Sequence, residues 1–142
     1  MYNYEKIIDS IRNLNCNILL NEPMRNHTSF KIGGNADLFL IVKDEKSLID
    51  IIKLFNKYDF PFFILGNGSN LLVKDTGIRG AVIKLGGEFN EITLINEDTI
   101  KCGAAVLLSK LCNFAMKNAL SGLEFAYGIP GTVGGAVCMN AG

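Results

Sequence analysis

The sequence predicts strand–helix–strand units plus one hairpin in a chain of 142 residues, a pattern that belongs to α/β or α+β packing. Three observations lead there. Apolar residues recur at helical spacing in three separate stretches, short and almost wholly apolar runs lie between them, and Asn96-Glu97-Asp98 joins two further extended runs.

The elements follow in chain order. Tyr4, Ile7, Ile8, Ile11 and Leu14 share one side of a helical wheel and predict an amphipathic first helix. Asn21 to His27 is polar, holds Pro23 and reads as a connector. Residues 1–22 are therefore expected to form an N-terminal helical segment ahead of a main domain over 23–142. Ala36 to Val42, apolar around a single Asp37, reads as a buried strand. Leu48, Ile51, Ile52 and Phe55 give a second helix over Ser47 to Tyr58, stopped by Pro61, and Phe62 to Leu65 reads as a second buried strand. A glycine-bearing turn leads to apolar Leu71 to Val73. Ile78 to Leu85, entered by a turn at Gly77, is another strand. Glu91 to Ile95 and Thr99 to Gly103 flank the Asn96 turn and predict a hairpin. Leu107, Leu108, Leu111, Phe114, Ala115 and Ala119 give one apolar face to a helix over Val106 to Ala119. Six of the 15 glycines then fall in the last 21 residues, which marks a special backbone there.

Composition narrows the function classes. A chain of this length, 49% hydrophobic, can bury roughly 68–70% of its unfolded surface and needs no staples. With 14 basic against 14 acidic residues and no basic stripe, nucleic acid is not expected as the main partner. No apolar run reaches the roughly 18 residues of a membrane span, and the polar start, Met1 to Ser10, is not a secretory signal. The expectation is a cytoplasmic protein with no membrane partner. Cys16, Cys102, Cys112 and Cys138 contain no CxxC pair, so no metal site is expected and the cysteines read as buried small hydrophobes. With His27 as the only histidine, a thiol–imidazole pair has little support.

Three motifs carry the chemistry. The first is Gly66-Asn67-Gly68-Ser69-Asn70, set between apolar extended runs. Glycines at alternate positions permit positive φ, so that successive N–H groups converge on an anion such as a diphosphate, with Ser69 and Asn70 as added side-chain donors. No GK[ST] follows and GxGxxG is absent, which excludes the Walker and Rossmann loops. A plain strand–turn–strand remains the alternative. The second is Gly128-Ile129-Pro130-Gly131-Thr132-Val133-Gly134-Gly135. Pro130 suits the first turn of a helix and Thr132 its cap, and the amides of Gly131 to Gly135 would then face an anion. Gly134 and Gly135 leave room for a flat ring, or for a close helix seam, which is the alternative. The third, Asn26 to Gly34, reads as a polar loop running into a strand.

In sequence, "NHTSFKIGG", "LGNGSNLLVKDTGIRGAVIKLG" and "SGLEFAYGIPGTVGGAVCMNAG" together resemble the N-terminal half of the UDP-N-acetylenolpyruvoylglucosamine reductases, over Pro23 to Gly142. The resemblance implies an α+β FAD-binding fold of the vanillyl-alcohol oxidase and p-cresol methylhydroxylase type, with two small α+β subdomains clamping FAD and a separate substrate domain. It makes 23–142 the FAD-binding domain. Carried onto this sequence, it assigns Gly66, Asn67, Gly68, Ser69 and Asn70 to the FAD diphosphate. Pro130, Gly131, Thr132, Gly134 and Gly135 would line flavin and diphosphate, and Asn140, Ala141 and Gly142 would begin a further flavin-contacting stretch. FAD would be held noncovalently and reduced by NADPH, and a hydride would pass to the enolpyruvyl group of a UDP-sugar in peptidoglycan synthesis. The family's catalytic serine, arginine and glutamate match nothing up to Gly142, so no catalytic residue is expected here, and the stop at "MNAG" reads as a truncation. Two rivals stand beside this reading: a flavin- or nucleotide-binding module without catalysis, and another oxidoreductase of the same flavin fold.

Overall fold

Residues 38–42 are apolar without interruption, so a strand built from them must be covered on both faces. The computed structural model describes residues 4–142, and in it β2 (Asn35–Val42) turns Leu38, Leu40 and Val42 to one face and Phe39 to the other, all fully buried. It sits in a four-stranded sheet with β1 (Cys16–Pro23), β3 (Phe62–Leu65) and β4 (Ile78–Leu85), in the order β1-β2-β4-β3. β1 runs antiparallel to β2, whereas β2, β4 and β3 are parallel.

Two helices, α1 (Tyr4–Ile11) and α2 (Glu45–Lys57), cover the first face. Ile7, Ile11, Ile51 and Phe55 pack there on Leu38, Leu40, Val42, Ala81 and Ile83, each large side chain contributing roughly 1.5–3 kcal/mol by its burial. Asp44 caps α2 by accepting from the Ser47 N–H at 2.7 Å. That hydrogen bond holds its carboxyl below the usual range. Among the described residues no α-helix contributes to the core on the opposite face. Met24, Leu65 and Val73 close it over Phe39 and Val82, so the core on this side is made by residues that flank the first and third motifs.

The register of β2 against β4 shifts between Ala36 and Leu38, and Asp37 ties the irregularity together. Its carboxylate meets the Arg79 guanidinium at 2.7 Å and accepts from the Gly80 N–H at 3.0 Å and the Tyr4 hydroxyl at 2.6 Å. Burial, then the Asp37 hydrogen bond, pushes the Tyr4 phenol up to about 12.

A second α+β part follows. β5 (Ile92–Leu94) and β6 (Ile100–Cys102) form the expected antiparallel hairpin, and α3 (Leu108–Lys117) and α4 (Val133–Cys138) follow it. Leu108, Cys112 and Ala126 make its small core with Leu123, Ile129, Val133 and Ala136. The fold is α+β, and among the described residues no helix is long and apolar enough to cross a membrane.

The N-terminal expectation needs correcting. Residues 1–3 of the segment 1–22 lie outside the described residues, and helix extends only over Tyr4–Ile11. Cys16–Pro23 is a strand, paired from Cys16↔Val42 to Pro23↔Asn35, and it crosses the boundary set at residue 22. As an edge strand it is only partly covered, so its burial never alternates cleanly, and Asn21 interrupts it with φ 53. Leu71 to Val73 is likewise not a strand, although Val73 is buried.

Candidate functional site

β3 delivers the chain into Gly66–Asn70 at the carboxyl ends of the parallel strands, the edge at which ligands bind in open sheets. Gly68 adopts φ +66, a left-handed conformation that suits glycine. A β-carbon there would overlap the His27 carbonyl oxygen and lie 3.1 Å from Thr28 Cα. Ser29 N–H donates to the Gly68 carbonyl at 3.0 Å. The third motif is thus the floor of the first, a relation the sequence reading missed. That floor is itself held: the Thr28 hydroxyl is buried and donates to the Ile32 carbonyl at 3.1 Å. The His27 ring stacks on Phe39 at 4.1 Å, with Nε2 2.9 Å from Glu22 Oε1.

Above the floor, the N–H groups of Asn67, Gly68, Ser69 and Asn70 meet no protein acceptor among the described residues. They form a run of donors with no carboxylate in their hydrogen bonding, the donor set a diphosphate requires.

The second motif is built differently from the expectation. Thr132 does cap α4, its hydroxyl oxygen accepting from the Gly135 N–H at 3.2 Å. Pro130, however, lies ahead of the helix rather than in its first turn. Nor do the amides face outward together. Val133 N–H donates to the Val106 carbonyl at 2.8 Å and Gly134 N–H to that of Ala104 at 2.9 Å. With Gly135 engaged by its cap, only the N–H groups of Gly131 and Thr132 lack a protein acceptor among the described residues. Gly134 answers to close packing, because a β-carbon there would come within 2.9 Å of Ala104 Cβ and 3.1 Å of its carbonyl oxygen. Gly135 meets only the Thr132 hydroxyl, at 3.2 Å. Asn140, at φ 48, ends α4: its N–H bonds the Val137 carbonyl at 3.2 Å and that of Ala141 bonds the Ala136 carbonyl at 2.9 Å, a Schellman pattern. Gly142 follows, exposed.

The two glycine motifs meet. Ser69 Oγ donates to the Pro130 carbonyl at 2.7 Å, bridging positions 61 residues apart. A β-carbon on Gly66 would stand 2.8 Å from the Thr132 hydroxyl, and one on Gly131 3.7 Å from Ser69 Oγ. A hollow of about 580 Å³ lined by Asn15, Asp44, Lys46 and Glu88, among others, shares no residue with either glycine motif.

Other polar candidates are engaged elsewhere. Arg79 pairs with Asp37, and Glu124 accepts from the Gly122 N–H at 2.8 Å. Among the cysteines, Cys112 is buried and donates to the Leu123 carbonyl, while burial pushes the half-covered thiols of Cys16 and Cys102 up. Cys138, expected to be buried, is exposed, because α4 buries none of its residues. Among the described residues no three His, Cys, Asp or Glu are grouped to hold a metal ion.

Comparison with known proteins places the chain in a family. A family described as FAD binding domain matches residues 36–142. A curated relative named UDP-N-acetylenolpyruvoylglucosamine reductase, from Desulforamulus reducens, is 53% identical over 125 residues, which is 88% of this chain and 41% of the relative. Its namesake from Clostridium tetani is 49% identical across 100% of this chain and 46% of its own length. The chain therefore spans less than half the length of these relatives. Among solved structures, UDP-N-acetylenolpyruvylglucosamine reductase from Thermus caldophilus superposes with a TM-score of 0.69 and 38% identity, over 89% of this chain and 42% of that one. p-Cresol methylhydroxylase superposes at 0.54 with 13% identity, over 82% of this chain and 25% of its own, a likeness of fold alone. With more than half of its residues inside the family match, this chain belongs to the FAD-binding domain family.

Proposed function

We propose that this chain is the FAD-holding part of a UDP-N-acetylenolpyruvoylglucosamine reductase that works in the cytoplasm on a UDP-sugar, with NADPH as reductant. The observation that supports it is the meeting of Gly66–Asn70 with Pro130–Gly135, two segments far apart in sequence that a hydrogen bond and close approach bring together. In this reading the N–H groups of Asn67 to Asn70 hold the diphosphate. Pro130, Gly131, Thr132, Gly134 and Gly135 form the wall beside the flavin, and Asn140, Ala141 and Gly142 lead the chain onward from it. FAD, when bound, supplies two-electron transfer between nicotinamide and substrate. The chain's own residues bind and orient it, while Ser69, Arg79 and Glu124 are engaged with protein partners.

Binding is noncovalent on this proposal. The only histidine, His27, is committed to Phe39 and Glu22. The test is flavin titration of the purified protein followed by denaturation. Saturable quenching of FAD fluorescence is expected, with intact FAD recovered in solution after unfolding. Absence of saturable binding, or flavin that stays with the denatured chain, would reject the reading.

A further inference from the structure

We propose that Ser69 is a positioning residue whose hydroxyl latches the Gly66–Asn70 loop to the Pro130–Gly135 segment and so sets the spacing of the cleft that a flavin dinucleotide spans. The proposal rests on the flavin reading above. Among the described residues, the Ser69–Pro130 contact is the one hydrogen bond between residues 62–86 and residues 104–142. At 2.7 Å it is at the usual length for a hydroxyl–carbonyl pair. A serine hydroxyl carries a single proton. Donating it to the Pro130 carbonyl leaves only lone pairs on Oγ, and these repel a phosphate oxygen. In this rotamer Ser69 therefore cannot be the side-chain donor to a diphosphate that the sequence suggested. Its neighbours are arranged around the same contact: Gly66 has no β-carbon where the Thr132 hydroxyl approaches, and Gly131 presents bare backbone to Ser69 Oγ.

A latch and a direct phosphate donor make different demands on ligands. ADP carries the diphosphate but no flavin, and the amides of Asn67 to Asn70 hold it without help from the second segment. FAD touches both sides, so it alone gains from correct spacing. The experiment measures FAD affinity, ADP affinity by competition, and amide hydrogen exchange over residues 128–137 without ligand, in the wild-type protein, Ser69→Ala and Ser69→Thr. Loss of one neutral hydrogen bond should weaken FAD binding roughly three- to tenfold in Ser69→Ala. ADP should change by less than about twofold, exchange over 128–137 should accelerate, and Ser69→Thr, which keeps the hydroxyl, should restore all three. Should Ser69→Ala fail to fold, Ser69→Cys, a weaker donor of similar size, carries the same comparison. Equal losses for ADP and FAD would overturn the latch and make Ser69 a phosphate donor. Unchanged FAD affinity, or wild-type protein that binds FAD but not ADP, would overturn it as well. Wild-type protein that binds neither ligand would overturn the flavin reading itself.

Discussion

Replacing Gly68 with alanine should unfold this cleft from below. Gly68 sits at φ +66, where a residue with a β-carbon is about 1–2 kcal/mol worse off than glycine. The new carbon would overlap the His27 carbonyl oxygen and stand 3.0 Å from its carbonyl carbon and 3.1 Å from Thr28 Cα. All of these are backbone atoms, so no flexible side-chain end can give way. Relief requires residues 27–29 to move off, which breaks the Ser29 N–H bond to the Gly68 carbonyl, about 1 kcal/mol more. The sum, about 2–3 kcal/mol, corresponds to a melting temperature lower by roughly 6–12 °C for a chain of this size. Thermal unfolding followed by circular dichroism without ligand is the assay. Gly131→Ala is the control, since its β-carbon would meet only Ser69 Oγ at 3.7 Å. The sequence reading tied the glycines of this loop to positive φ and to the binding of an anion. The structure puts the harm of a side chain at this position in the protein floor, so the loss must appear before any FAD is added. A Gly68→Ala protein that melts with the wild type and loses only FAD affinity would refute that account.

Two further outcomes follow from named contacts. Gly134→Ala should destabilise by about 1–3 kcal/mol through overpacking against Ala104, and Ala104→Gly in the same chain should recover part of the loss in a denaturant titration; no recovery would detach Gly134 from Ala104. Tyr4 is a phenol raised by burial and then by Asp37, so the stability it contributes is fully present below its unfolded value near 10 and is lost as pH rises through about 12; an alkaline tyrosinate titration should lose its component near 12 in Tyr4→Phe, and an unchanged curve would refute the assignment of that component to Tyr4.

How far the sequence could be read depended on whether the cause of a feature was local. β2 and β4 were legible because a strand buried on both faces must be apolar throughout, and Leu38 to Val42 and Ala81 to Ile83 are. Thr132 was legible as a cap because the residue type that accepts from an N3 amide stands just before the helix. β1 was not, because an edge strand has no burial pattern to announce it and its partner β2 lies beyond an intervening loop. The floor beneath Gly68 was not, because His27 approaches from far back in the chain and nothing local to either segment encodes the contact. The disposition of the α4 amides was hidden for the same reason. Val106 and Ala104 take two of them, and neither residue differs in type from any other small apolar residue in the chain.

That last difference redistributes the work within the proposed cradle. A helix of six residues whose early amides are bound to Val106, Ala104 and Thr132 has little left to offer an anion beyond a weak field at its start, since the charge at a helix end resides largely in its unsatisfied N–H groups. The loop after β3 keeps its donors, and its backbone is fixed from below by His27 and Ser29 and from the side by Pro130. Diphosphate affinity should therefore reside in Asn67 to Asn70. Pro130 to Gly135 should act through shape, as a wall of small residues held at a set distance. On that division a bulkier residue at Gly135, whose β-carbon would meet little besides the Thr132 hydroxyl, should leave ADP affinity intact while excluding the flavin. A side chain that blocks the Gly66–Asn70 loop should abolish both.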